Sequence, residues 1–397
     1  MLVTALVANL APPLFIPLRT AFGLNFEQMG RLALLNFFTQ LICIVAGGSL
    51  VDRFGARPFA LAGNGAVLIG LWIFACAGQL FSANPYAGLV LGMLFFSMGA
   101  ALLELVLSPI VNAVPSERKT ADMSLLHAYY ALGQILTVLL TSLAIWLGAS
   151  WRAAVMCWSL LPFLTALGFL SVTIPPLVTR GKRLRVRRLL CNPVFLALVG
   201  CMFLAGATEM GVSQWVSAYA EKGLGFPKLA GDLAGCCLFG VMLGAGRIWM
   251  GVRQQTRLER VLPISCGIAI AAYLVAGMAP WSWLALLACA VAGLGVSLLW
   301  PGLLSLTARR FPRGGASMFA VLAAAGTLGC ALAPWLVGVV AEAICTNAAT
   351  PGVLVRVGLK IAPEPFGLRM GLLMAAICPI ALLSLLRWIE ARSRKDC

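Results

Sequence analysis

Two carboxylates stand alone in apolar stretches of this chain. Glu104 lies in "GAALLELVLSPIVNAV", Gly99 to Val114, and Glu209 in "AGATEMGVSQWVSAY", Ala205 to Tyr219. An acid at the centre of a bilayer costs about 2.5–3.5 kcal/mol on insertion scales. No Lys or Arg lies deep in any apolar run, the nearest being Arg247 close to the end of its own. Both acids are therefore expected without a paired cation, and burial disfavours the ionised form of a carboxylate so placed. Such a group can take up a proton on one side of a membrane and release it on the other. Glu104 and Glu209 are the proton-coupling candidates.

Polar residues recur around them at helical spacing. Ser97, Ala101, Glu104, Ser108 and Asn112 share one helix face, as do Gly206, Glu209, Ser213 and Ser217. Asn36, Gln40, Cys43 and Gly47 form a third stripe, and His127, Tyr130, Gln134, Thr137 and Thr141 a fourth. Stripes of this kind also serve tight helix packing. Asn36, Gln40, Gln134 and Gln214 are the candidate groups for substrate hydroxyls. Trp215 and Trp300 are the candidate rings on which the C–H face of a sugar would stack. Tyr219 reads instead as an interfacial aromatic, and His127 as a gate hydrogen bond or a proton relay.

The elements that must position these side chains are membrane helices. Of 397 residues, 61% are hydrophobic and 11% charged, against about 25% charged in a soluble protein. Apolar runs recur at the roughly 20 residues that a bilayer requires of a helix, and continuous apolar runs mean helices rather than a barrel. The net charge of +16 sits in short gaps between those runs, without the basic domain or aromatic interleaving of a nucleic-acid binder. The thirteen cysteines show no metal spacing, and Cys236 and Cys237 read as small packing residues. No metal, cofactor or nucleophile constellation is expected, which disfavours an enzyme.

Twelve spans follow, near 1–18, 29–50, 59–80, 86–112, 123–148, 152–174, 193–220, 228–251, 260–279, 282–306, 315–341 and 367–389. The first is barely long enough. Either it is short and broken at Pro12, Pro13 and Pro17, or the start lies upstream, which is favoured. The basic stretch "TRGKRLRVRRLLCN", residues 179–192, divides a six-helix bundle at 1–178 from another at 193–397. Cytoplasmic termini place 21 of the 29 Lys and Arg on the inner side, as the positive-inside bias requires. The halves also echo each other: Pro109 with Pro301, Pro115 with Pro312, Met123 with Met318, and Gly133 with Gly329. Six-plus-six repetition is the habit of transporters that rock two halves around a central site.

"GGSLVDRFGARP", Gly47 to Pro58, closely resembles the Gly-x-x-x-Asp-Arg-x-Gly-x-Arg loop of the major facilitator superfamily, with Gly48, Asp52, Arg53, Gly55 and Arg57 at the matching positions. The resemblance implies the twelve-helix fold of that family and a gating role for these residues. "GVMLGAGRIWMG" is a weaker echo in the second half and adds Arg247 to the gate. "LELVLSPIVNAVP" and "AGATEMGVSQWVSAY" are similar to segments of the fucose–proton symporter group of sugar permeases. That likeness places Glu104 at the group's functional acid in the fourth span. A second acid of that group, in the first span, has no counterpart here, and Ser108 stands where the group has Asn.

Together these readings imply an all-α polytopic membrane protein with two pseudo-symmetric bundles. It would import a sugar or similar polar metabolite with protons, as a monomer in a bacterial inner membrane, without nucleic acid. Proton-antiport efflux and passive facilitation remain as alternatives.

Overall fold

The computed structural model describes residues 1–115, 119–174, 189–252, 258–311, 315–352 and 361–393, and all regular structure among them is helical. Twelve helices have the length and composition to cross a membrane. In chain order they are α1 (Leu2–Phe22), α2 (Phe26–Gly47), α3 (Ala56–Ala75), α4 (Pro85–Leu107), α5 (Tyr129–Trp146), α6 (Trp151–Ser171), α7 (Pro193–Gly223), α8 (Lys228–Trp249), α9 (Leu258–Met278), α10 (Ser282–Arg310), α11 (Val321–Thr346) and α12 (Pro363–Arg392). The first span is thus longer than the expected 1–18. The helix continues past Arg19 to Gly23, whose φ of 65° closes it in the left-handed region.

Proline accounts for most of the breaks. Its ring clashes with the carbonyl four residues earlier, and it supplies no N–H. α1 is interrupted at Leu10, ahead of Pro12; α6 at Ser159, ahead of Pro162; α10 at Leu298, ahead of Pro301; and α12 at Ala376, ahead of Pro379. α7 breaks differently. It is regular over Pro193–Ser213, turns at Gln214 and Trp215 without a proline, and ends in a π-helical segment, Tyr219–Gly223. α8 likewise opens on a short turn before a π-helical stretch, Asp232–Cys237.

The apolar side chains point both inward and outward, as lipid allows. On α6, Leu160, Phe163, Leu164, Leu167 and Leu170 form an exposed stripe at three- and four-residue steps. Apolar stripes of this length belong against acyl chains.

The chain divides into two compact units, one of Met1–Leu24 with Leu35–Arg180, the other of Asn25–Leu34 with Gly181–Cys397. Each is built on helices that cross at glycine. In the first, α3 meets α4 where Gly63 faces Gly99 and Gly70 faces Gly92; a Cβ on Gly99 would strike the Gly63 carbonyl. In the second, α7 meets α11 so closely that a Cβ on Gly206 would strike the Gly326 carbonyl, and one on Gly329 the Phe203 carbonyl. Where helices lack a hydrophobic drive to associate, contacts of this type supply the packing. Also within the second unit, the first turn of α2 is held by α11. The Phe26 N–H donates to Glu342 at 2.9 Å, and the Trp335 indole donates to Glu27 at 3.1 Å.

Candidate functional site

The first unit places Glu104 on α4, half-buried, two turns along the same face from Ser97. Ser97 is fully buried and donates its hydroxyl to Asn36 Oδ1 at 2.8 Å. Gln40 Nε2 donates to the same oxygen at 2.8 Å, and Asn36 Nδ2 donates to the Val7 carbonyl at 3.0 Å. Asn36 is therefore the hub of a polar network joining α1, α2 and α4, and its exposure is only 1%. Both ends of its amide are engaged, as a buried amide requires. Gln40 is half-buried at the network's edge, and Gln134 on α5 is buried. Among the described residues no Lys or Arg forms an ion pair with Glu104.

The second unit treats its acid differently. Glu209 on α7 accepts from Arg247 Nη2 at 3.0 Å through Oε1 and at 3.2 Å through Oε2. The side chains are 7% and 24% exposed, respectively. The expectation of an unpaired Glu209 is thereby overturned. Arg247 stands two residues from the end of α8, yet its long side chain reaches the carboxylate. Breaking a buried pair of this kind costs about 3–5 kcal/mol, because one charge is left uncompensated.

Three other helices fix this pair. The Tyr273 hydroxyl, from α9, donates at 2.7 Å to the Thr208 carbonyl and so pins the backbone beside Glu209. Gly246, next to Arg247, lies against Ser297 of α10, and Gly293 of α10 lies against the Phe239 carbonyl of α8. One turn beyond Ser297, Trp300 projects over Gly326 of α11, the residue whose carbonyl abuts Gly206. Glu209, Arg247 and Trp300 thus belong to one neighbourhood, linked through the glycine crossing. Trp300 is half-buried.

Other sequence candidates lie within the packing. Trp215 is fully buried, donates its indole N–H to the Pro334 carbonyl at 2.8 Å, and packs edge-on against Phe26 at 5.9 Å. Gln214 beside it is fully buried, with Nε2 3.8 Å from Met210 Sδ. Tyr219, expected at the interface, is fully buried and donates to the Ala276 carbonyl. The reason is packing: Pro334 of α11, Ala276 of α9 and Phe26 of α2 close around this end of α7. Sequence reading also passed over Asp232, 1% exposed, which accepts from Lys228 Nζ at 3.1 Å while Lys228 also donates to Ser217 at 3.3 Å. Its signal was the Lys–Asp spacing of four on a helix.

Of the gate residues, Gly55 has φ 79°, a left-handed conformation that glycine accepts without strain. Arg57 is exposed and its Nη2 donates to the Val172 carbonyl at the end of α6. Gly48, Asp52 and Arg53 fall on the continuous helix Phe26–Phe54, and their side chains lie outside the described residues, as do those of Ser108, Asn112 and His127.

Among the described residues, twelve helices long and apolar enough to cross a membrane, four of them broken ahead of a proline, define a multi-pass membrane protein. The sequence model of the Major Facilitator Superfamily matches residues 1–334. The chain belongs to that superfamily. It is 29% identical over 204 residues to the inner membrane transport protein YdiM of Escherichia coli K12, a match covering 49% of this chain and 46% of that protein, so the chain spans about half the length of this relative. Among solved structures, a bacterial homologue of the human lysosomal transporter Spinster superposes with a TM-score of 0.77 at 15% identity, covering 98% of this chain and 94% of that one. A D-xylose–proton symporter gives 0.74 at 17% identity, with 95% and 94% covered. The E. coli fucose–proton symporter gives 0.62 at 17% identity, with 98% and 96% covered. Likeness at these identities speaks for the fold.

Proposed function

We propose that this transporter imports a small polar metabolite of sugar size together with protons, by alternating access, and that Glu104 carries the coupling proton. One observation carries the reading: Glu104 stands on the apolar helix that runs over Pro85–Ala113, on the face of the Asn36–Gln40–Ser97 network, with no Lys or Arg paired to it among the described residues. A lone acid there is costly unless it is neutral for part of its cycle, and a group that changes between neutral and charged is a proton carrier. The two similar structures named as proton symporters support the same reading. Asn36 positions the network rather than meeting substrate directly. Gln40 and Gln134 offer hydrogen bonds, and Trp300 offers a ring. The basic loops favour cytoplasmic termini in a bacterial inner membrane, with Gly48, Asp52, Arg53, Gly55 and Arg57 as the gate on that side.

Each proton entering down the membrane potential supplies about 2.3 kcal/mol per 100 mV. The test is purified protein in sealed vesicles loaded with a pH-sensitive dye and challenged with sugars and hydroxy acids. Proton entry on substrate addition is the expected outcome. Substrate flux without proton movement would make the chain a passive facilitator, and proton movement opposite to substrate an antiporter.

A further inference from the structure

We infer that Arg247 is the anchor for an anionic group on the transported molecule, so that the substrate class is small hydroxy carboxylates rather than neutral sugars. This rests on the reading of the chain as a proton-coupled importer, and narrows what is imported.

The first ground is the way the guanidinium is used. Both bonds to Glu209 leave from Nη2. Nε is buried and has no hydrogen-bond partner among the described residues. The Nε–Nη2 edge of an arginine presents two parallel N–H groups that match the two oxygens of a carboxylate. Glu209 takes only the Nη2 half of that edge, which leaves Nε without an acceptor at a depth where an unmade hydrogen bond is costly.

The second ground is charge. Arg247 keeps its charge, since a guanidinium does not deprotonate in proteins. An approaching carboxylate is drawn to that charge and a neutral sugar is not, and the proton imported with an acid balances the acid's own charge. Arg247 is also the more open member of the pair, 24% exposed against 7% for Glu209.

Among the described residues, no second acid forms an ion pair with Arg247. The groups facing the pair are the Tyr273 hydroxyl from α9, already donating to Thr208; the Cys330 thiol from α11, which lies in the field of Glu209; and Ser297 and Trp300 from α10, packed at Gly246 and Gly326. Trp300 offers an apolar face for the carbon chain beyond the carboxylate.

The experiment uses the full chain in vesicles containing a pH-sensitive dye, with matched probes: gluconate against sorbitol, and glycerate against glycerol, corrected for protein-free vesicles. At 1 mM, at least one acid is expected to drive proton entry at least tenfold faster than its polyol. Arg247→Lys keeps the charge without the fork, and should raise the concentration of acid needed by tenfold or more. Because Arg247→Gln alone strands Glu209, the informative variant is Glu209→Gln with Arg247→Gln; it should elute from a sizing column as wild type does and ignore the acids. If polyols drive protons as well as the acids, the anion assignment falls while proton-coupled import stands. If the double variant answers the acids as wild type does, Arg247 is not the anchor. If neither acids nor polyols move protons, this inference and the proposed function fall together.

Discussion

Glu104 and Glu209 look alike in sequence and differ in what surrounds them. Each follows a glycine crossing by one to one and a half turns, Glu104 after Gly99 against Gly63, and Glu209 after Gly206 against Gly326. Glu104 then meets an amide–hydroxyl network and no side-chain cation, whereas Glu209 meets Arg247 at 3.0 Å. An acid with no paired Lys or Arg among the described residues can cycle between protonation states at little structural cost. An acid that balances an arginine cannot change state without something else changing. The first arrangement suits a proton carrier, and the second suits a switch tied to another charge.

The widest test of this pairing is to spoil the crossings themselves. Gly99→Leu and Gly206→Leu should each prevent recovery of monodisperse protein, because either side chain drives a helix off its neighbour's backbone. Overpacking of a tight interior commonly costs about 1–3 kcal/mol, and contact with backbone leaves little room for relaxation. Expression and size-exclusion profiles read the result. A well-behaved Gly206→Leu protein would mean that Glu209 and Trp300 are not held together as described.

The two acids should then separate on stability. Glu209→Gln leaves Arg247 without its partner and should lose about 3 kcal/mol or more, seen as a clear fall in thermal midpoint in detergent. Glu104→Gln should change stability by less than about 1 kcal/mol, within the range of substitutions that break no specific partner. Equal losses would erase the distinction. The tryptophans sharpen it from the side of the ligand. Trp215→Ala empties a fully buried site and should cost about 3–5 kcal/mol. Trp300→Ala should leave the fold largely intact while weakening substrate affinity in a transport titration.

A smaller effect is expected at Asn36. Asn36→Ala strands the donors of Gln40 and Ser97 and should cost about 1–3 kcal/mol, with proton coupling by Glu104 impaired but present. The same thermal and flux measurements decide it.

Much of this was legible in the sequence. Span count, the two acids and their helix faces follow from apolar run length and from steps of three and four residues, which are properties of one helix at a time. The Glu209–Arg247 pair was not legible, because it joins positions 38 residues apart and depends on the depth and rotation of two helices together. Arg247 looked marginal by its place near the end of α8, but an arginine side chain spans more than a helical turn. Tyr219 misled for a related reason. An aromatic near the end of an apolar run usually marks an interface, and only its packing against neighbouring helices shows that it lies inside. Asn36 was read as a substrate contact because polarity alone cannot tell a cavity-lining amide from one whose partners sit on neighbouring helices.

The central claim is that Glu104 carries the proton, and the most direct test separates exchange from net transport in one variant. Vesicles of wild type and Glu104→Gln would be compared for exchange of labelled substrate at equal concentrations on both sides, and for accumulation driven by an imposed pH gradient. The account predicts that Glu104→Gln exchanges substrate at a rate within a few-fold of wild type and accumulates none. Accumulation by Glu104→Gln equal to that of wild type would contradict it.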